Sequence, residues 1–200
     1  AVLGGKLYAA GGMNEADLEP SNLVERYDFE RKAWEEVAPL AGVRLNHAVA
    51  ALDGELYAVG GESDGDVFTS VERYDPGVPA TNAWEAVAPM AAARESHAVT
   101  VLDGTLYTVG GSDDDSVERY DPATNAWEAV APMTAARWAH GMAVLDAGKL
   151  YAVGGVSADN DDDDDPGWLS SVERYDPALH AWEAGTPIVS ARAGHCTALL

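Results

Sequence analysis

The sequence predicts an all-β chain in which a four-stranded sheet is repeated four times, and three observations carry that prediction. One phrase recurs: Leu-Tyr-x-x-Gly-Gly closes on Gly11-Gly12, Gly60-Gly61, Gly110-Gly111 and Gly154-Gly155, at intervals of 49, 50 and 44 residues. Between these pairs, short β-branched and alternating runs are bounded by turn formers. No segment sustains a helical period.

Each strand of the repeat can be justified in order from its third copy. His97 to Leu102 is rich in β-branched residues, and Asp103-Gly104 supplies the positive-φ pair that a two-residue hairpin needs. Thr105 to Gly110 then returns as the second strand, and Asp53-Gly54 repeats the turn signal one copy earlier. After a loop, Val117 to Tyr120 alternates apolar and charged residues as a half-buried strand does. The turn-prone Asp121-Pro122-Ala123-Thr124-Asn125 leads into the fourth strand, Trp127 to Val130. Val-Glu-Arg-Tyr-Asp recurs at Val24, Val71, Val117 and Val172, the following Trp at 34, 84, 127 and 182, and a Pro at 39, 89, 132 and 187. Four-stranded units repeated every 40 to 50 residues or so predict a β-propeller.

The Gly-Gly, Tyr and Trp positions of this repeat resemble the kelch motif over essentially the whole chain. Ser-Val-Glu-Arg-Tyr-Asp-Pro and Trp-x-x-Val-Ala-Pro-Met are similar to phrases in the kelch propellers of BTB-kelch ubiquitin-ligase receptors. The resemblance implies one kelch propeller over residues 1–200, with blades at about 1–40, 41–90, 91–133 and 134–187 and a closing strand at 188–200. The two ends match in phase: Ala1-Val2-Leu3 and Ala198-Leu199-Leu200 fall at the same point of the motif. This predicts a ring closed by the C-terminal strand, which would hide two exposed edges. Kelch rings usually have six or seven blades, so four make either a small ring or a piece of a larger one. The repeated words have structural readings as well. Glycine pairs allow close approach between sheets, Tyr and Trp fill the wedge between them, and the repeated Glu and Arg form an internal pairing network.

Composition narrows the function classes. Asp and Glu number 34 against 12 Lys and Arg, giving a net charge of −22, and only Lys6, Lys32 and Lys149 are lysines. Such a balance argues against nucleic acid, whose binders draw affinity from basic contacts to phosphate. Acidic excess with scarce lysine resembles proteins of salt-loving organisms, where brine screens the self-repulsion. No apolar run approaches 18 residues and no charged-then-apolar leader is present, so no membrane partner is expected and the compartment is left open. Cys196 is the single cysteine and holds a strand position where other repeats have Ala48, Ala98 and Gly141.

Strand alternation places the variable insertions, Met13 to Ser21, Glu62 to Ser70, Ser112 to Asp115 and Val156 to Ser171, on one face. Loops on a rigid scaffold are where recognition concentrates. An Arg-x-x-His recurs on that face as Arg44-His47, Arg94-His97, Arg137-His140 and Arg192-His195. The resemblance implies that Arg44, Arg94, Arg137 and Arg192 contact a bound peptide; a salt bridge within the propeller is the alternative. Trp138 and Trp168 break the repeat and are not required by the fold, which makes them binding candidates. His47, His97, His140 and His195 would ring a metal if they faced an axis, although packing between blades explains them without one. The run Asp159 to Gly167 fails the EF-hand pattern, with Asp164 sixth and Ser170 twelfth, and reads as a solvated charge run.

These observations favour a non-catalytic binding module that presents its loop face to a protein or peptide, with no cofactor. The alternatives are a kelch enzyme of the mutarotase type, using residues such as Glu95 or His97, and a structural or engineered propeller fragment with no ligand. Galactose-oxidase chemistry needs a Cys-linked Tyr, which the lone Cys196 does not supply. No Gly-x-Ser-x-Gly, phosphate loop or His-Glu-x-x-His is present.

Overall fold

The alternating runs do form antiparallel sheets. The computed structural model describes residues 1–14, 18–78, 82–112, 114–146, 148–157 and 167–197. The chain divides into two compact units, Ala1–Glu95 and Ser96–Leu200. Among the described residues there is no helix.

The first unit holds two four-stranded sheets. One runs β1 (Val2–Leu3), β2 (Lys6–Ala10), β3 (Val24–Asp28), β4 (Ala33–Glu36), in that order. In the other, β5 (Ala48–Leu52) and β6 (Glu55–Val59) are followed by a small hairpin, β7 (Glu62–Ser63) with β8 (Asp66–Val67), before β9 (Val71–Tyr74) and β10 (Glu85–Val87) complete the sheet. The second unit repeats the plan. β11 (Ala98–Leu102), β12 (Thr105–Val109), β13 (Val117–Asp121) and β14 (Ala126–Val130) form one sheet, and β15 (Gly141–Leu145), β16 (Lys149–Val153), β17 (Val172–Asp176) and β18 (Ala181–Ala184) the other. Asp53-Gly54 and Asp103-Gly104 take positive φ at both positions, as the predicted two-residue hairpins require.

Register explains why the three recurring words belong together. Tyr107, Arg119 and Glu128 stand directly opposite one another on β12, β13 and β14, and Tyr151, Arg174 and Glu183 do so on β16, β17 and β18. The arginine of each rung pairs with its glutamate. Arg26 with Glu35 and Arg73 with Glu85 make the corresponding pairs in the first unit. On the other face of each sheet the Tyr and Trp of the repeat meet, with ring centroids 5.4 Å apart for Tyr74 and Trp84 and 5.3 Å for Tyr175 and Trp182.

Two cores result. In the first unit, Tyr8, Val24, Ala38 and Leu40 of the first sheet and its exit pack against Leu56, Ala58, Tyr74 and Trp84 of the second. In the second unit, Tyr107, Val109, Val117 and Met133 pack against Leu150, Ala152, Tyr175 and Trp182. Trp84 Nε1 donates to the Ala38 carbonyl and Trp182 Nε1 to the Ala131 carbonyl, both at 2.9 Å, so each ring is fastened to the neighbouring sheet.

One expectation needs amending. The repeated tryptophans are not equally buried: Trp84 and Trp182 are, Trp127 is half-buried, and Trp34 is exposed. Val2–Leu3 forms the edge strand of the first sheet beside β2, with Tyr8 N donating to Ala1 O at 2.9 Å. Residues 192–197 carry no strand, and residues 198–200 of the expected closing strand lie outside the described residues. Cys196 is accordingly an exposed free thiol instead of a packed strand residue.

Candidate functional site

In each unit the Gly-Gly end of the second sheet is built on a buried ion pair. Arg44 Nη2 donates to Glu72 Oε1 at 2.5 Å and its Nη1 to the Gly60 carbonyl at 2.8 Å. In the second unit Arg137 Nη2 donates to Glu173 Oε1 at 2.6 Å and its Nη1 to the Gly154 carbonyl at 2.8 Å. The second carboxylate oxygen is used too, accepting from Ala41 N at 2.6 Å and from Thr134 N at 2.7 Å. Two charges taken out of water need such full pairing. Arg44, Arg94 and Arg137 are all buried, Arg137 completely. The expectation that these three arginines meet a ligand is therefore corrected, because their guanidinium groups point inward. Arg192 is the exposed member of the set, and its Nε donates to the Ser190 carbonyl at 3.2 Å.

The histidines act as spacers between sheets. A Cβ placed on Gly154 would lie 2.9 Å from His195 Cε1 and 2.7 Å from the Arg192 carbonyl, and one on Gly155 would lie 2.8 Å from His140 Cβ. Both glycines have positive φ, so conformation and space each require the missing side chain. Burial, with the nearby Arg44, pushes the His47 imidazole down to about 4; burial, with Arg137 and His195, pushes that of His140 down to about 3. His97 is buried in the same way. No group of three His, Cys, Asp or Glu able to share a metal ion occurs among the described residues, and the four-imidazole ring is not formed there. His47, His140 and His195 are each packed against glycine backbone.

One feature at this end was not anticipated. The residue before each histidine, Asn46, Ser96, Ala139 and Gly194, has left-handed φ of 53°, 50°, 49° and 64°. In the second unit these residues are chained: Ala139 N donates to Ser96 O and Gly194 N to Ala139 O, both at 2.8 Å. Asn46 and Gly194, the types that favour this conformation, were the readable signal.

Above the ion pair the chain adds short cross-strand ladders. In the second unit Trp138 pairs with Val156, and Val156 pairs in turn with Trp168. Trp138 N donates to the Val156 carbonyl at 3.1 Å and Val156 N returns to the Trp138 carbonyl at 2.9 Å. Directly opposed residues project to the same side of a ladder, so two tryptophans separated by 30 residues flank one valine, with strands about 4.8 Å apart. Val156 is buried, Trp138 is half-buried and Trp168 is 55 % exposed. The sequence singled out both tryptophans, but their joining through Val156 needed the structure. In the first unit the corresponding places are Leu45, Glu62 and Val67. There Asn46 Nδ2 donates to Glu62 Oε1 at 2.9 Å and to Glu95 Oε2 at 3.2 Å, and the adjacent Glu95 carboxyl raises the pKa of Glu62. Residues 158–166, with most of the acidic run, lie outside the described residues.

Four-stranded sheets with Gly-Gly ends, Tyr–Arg–Glu rungs and Trp-fastened cores define a kelch-type propeller protein. The chain belongs to the KLHDC2/KLHL20/DRC7 kelch-repeats domain family, whose model matches residues 1–200. It is 43 % identical over 76 residues to human Kelch repeat and BTB domain-containing protein 13, covering 38 % of this chain and 17 % of that protein. To Kelch-like protein 36 of Rattus norvegicus it is 40 % identical over 79 residues, 38 % of this chain and 13 % of that protein. The matches thus span less than a fifth of those relatives' length. The solved structure of YjhT superposes with a TM-score of 0.75 at 20 % identity, covering 96 % of this chain and 66 % of that one, a likeness of fold.

Proposed function

We propose that this kelch domain is a non-catalytic binding module whose loop face takes a protein or peptide, with Trp168 and Trp138 as the principal contacts and Arg192 as a peripheral one. The observation that carries this reading is the Trp138–Val156–Trp168 ladder. Tryptophan is over-represented among residues that dominate binding energy, and a large exposed ring on a paired backbone loses little freedom when it is covered. Arg44 and Arg137 support this role by holding the connection beneath the ladder, while the acid–base candidates for an enzymatic reading are otherwise engaged. His97 is buried, and Glu95 is hydrogen-bonded to Asn46.

The test is selection from a displayed peptide library against the 200-residue chain, followed by calorimetry on a selected peptide. Trp168→Ala should weaken binding by about 1 to 3 kcal/mol, and Trp138→Ala by a similar amount, with the melting temperature unchanged for Trp168→Ala. Peptides that bind both variants as tightly as the parent would refute the loop-face assignment. Interconversion of sialic-acid anomers accelerated by the protein, read by exchange NMR, would establish the enzymatic alternative instead.

A further inference from the structure

The Trp138–Val156–Trp168 ladder lies wholly within the second unit. Trp138 and Val156 exchange both of their backbone hydrogen bonds. Val156 instead faces Trp168 between bonds made by their neighbours, Ser157 N to the Gly167 carbonyl at 2.9 Å and Leu169 N to the Gly155 carbonyl at 2.8 Å. Antiparallel partners of these two kinds have Cα atoms about 5.5 Å and about 4.5 Å apart, so the two tryptophans start about 10 Å from each other. All three residues project to one side, and the buried Val156 forms an apolar floor between the rings.

The protein itself does not fill this gap. Neither Trp138 nor Trp168 packs against another aromatic ring among the described residues, whereas Trp84 stacks on Tyr74 and Trp182 on Tyr175. Trp84 and Trp182 also place their indole N–H on a carbonyl, and among the described residues Trp138 Nε1 and Trp168 Nε1 have no such bond. No Arg or Lys lies over either ring among the described residues, although Arg44 does lie over Phe68, 5.6 Å from its centroid. Two indoles are thus held side by side with their faces and their donors unused.

Charge selects what enters. The face of an indole is the negative pole of its quadrupole, and a cation within about 6 Å of the ring centroid is attracted to it. A group centred over Val156 is within that reach of both rings. The chain as a whole carries −22, so the long-range field draws cations and repels carboxylates. The arginines close in the fold are committed elsewhere: Arg137 Nη2 donates to Glu173 Oε1, and Arg192 Nε donates to the Ser190 carbonyl. Among basic side chains the guanidinium suits the gap better than an ammonium, because it is planar, stacks on aromatic faces and is more weakly hydrated.

On the loop-face reading of the function, we propose that Trp138 and Trp168 form a two-ring clamp for a basic side chain, with an arginine guanidinium of the bound peptide lying over Val156 between the two indoles. A neutral apolar side chain gains the contact with Val156 but not the attraction of the two ring faces. A carboxylate is opposed by the rings and by the net charge alike.

Blocked arginine (N-acetylarginine methylamide) and its citrulline counterpart, which keeps the shape and loses the charge, are the probes. Titrated into protein with isotope-labelled indoles in 1 M potassium chloride, where the Debye length of about 3 Å suppresses the general pull of the net charge, blocked arginine should shift the Nε1–H signals of Trp138 and Trp168 together. Citrulline should shift neither. In a display-selected peptide, arginine-to-citrulline exchange should weaken binding about 5- to 30-fold. Trp168→Leu, which leaves the net charge unchanged, should abolish that difference, and Trp138→Leu should do the same. Equal responses to arginine and citrulline, or a preference for arginine that survives Trp168→Leu, would overturn the clamp. Selected peptides that lack a basic residue yet are weakened by Trp168→Ala would overturn the clamp while leaving the loop face as the binding surface. Peptides indifferent to both tryptophans would overturn the loop-face reading itself, and the clamp with it.

Discussion

Leu45, Glu62 and Val67 in the first unit occupy the same three ladder positions as Trp138, Val156 and Trp168 in the second. Directly beneath them lie constructions with the same hydrogen-bond pattern, Arg44 on Glu72 and Gly60, and Arg137 on Glu173 and Gly154. The buried layer repeats because a desolvated guanidinium admits few solutions: its carboxylate and carbonyl partners must all be present. The ladder above it is held by backbone hydrogen bonds that any side chain allows. Glutamate and valine, or tryptophan and leucine, can therefore exchange there without loss of fold, and that is where the two units come to differ chemically.

The largest expected effect separates the layers. Arg137→Ala strands the Glu173 carboxylate inside the protein and should cost about 3 to 5 kcal/mol in urea unfolding, as should Arg44→Ala for Glu72. Trp168→Ala should move stability by no more than about 0.5 kcal/mol. Comparable losses in the two kinds of variant would erase the distinction between buried layer and ladder.

A smaller effect comes from the buried imidazoles of both units. His47 and His140 are held neutral in the fold, with values lowered to about 4 and about 3 from an ordinary 6.5. Between those values and 6.5 the unfolded chain binds protons that the folded chain does not, so stability rises with pH across that window and is lost as pH falls. The slope is at most about 1.4 kcal/mol per pH unit for each histidine. Unfolding titrations of His140→Asn between pH 6 and pH 4 should show a shallower fall than the parent. Parallel curves would mean that His140 takes up its proton without unfolding.

The smallest effect sharpens the comparison within the second unit. Ala139 and Gly194 hold equivalent left-handed positions with φ of 49° and 64°. Ala139→Gly relieves a conformation that costs an L-residue about 1 kcal/mol but adds freedom to the unfolded chain, so a net gain of a few tenths of a kcal/mol is expected. Gly194→Ala should instead destabilise by about 1 kcal/mol. Thermal melts of the two variants that shift in the same direction would contradict this reading.

Much of the scaffold is legible in the amino-acid order. The Asp-Gly hairpins, the four-stranded repeat and the pairing of repeated Glu with Arg are local or periodic signals, and Trp138 and Trp168 stood out because they broke the period. The inward course of Arg44, Arg94 and Arg137 was less legible, since an arginine beginning a strand at a loop face reads equally as ligand contact or internal anchor. The exposure of Trp34 was hidden for a related reason. Its surrounding word is the same as that around the buried Trp84, and only the presence of a sheet against it makes the difference.

By itself the amino-acid order determined which residues alternate, where the chain turns and which words recur, because strand period and turn chemistry act over a few neighbouring residues. Tertiary structure decided which identical words differ in consequence: Trp84 fastened to the Ala38 carbonyl while Trp34 stands open, and Trp138 brought beside Trp168 through Val156. Those outcomes depend on burial and on pairing between distant segments, which arise only when whole sheets stack and exclude water from one face while leaving another exposed.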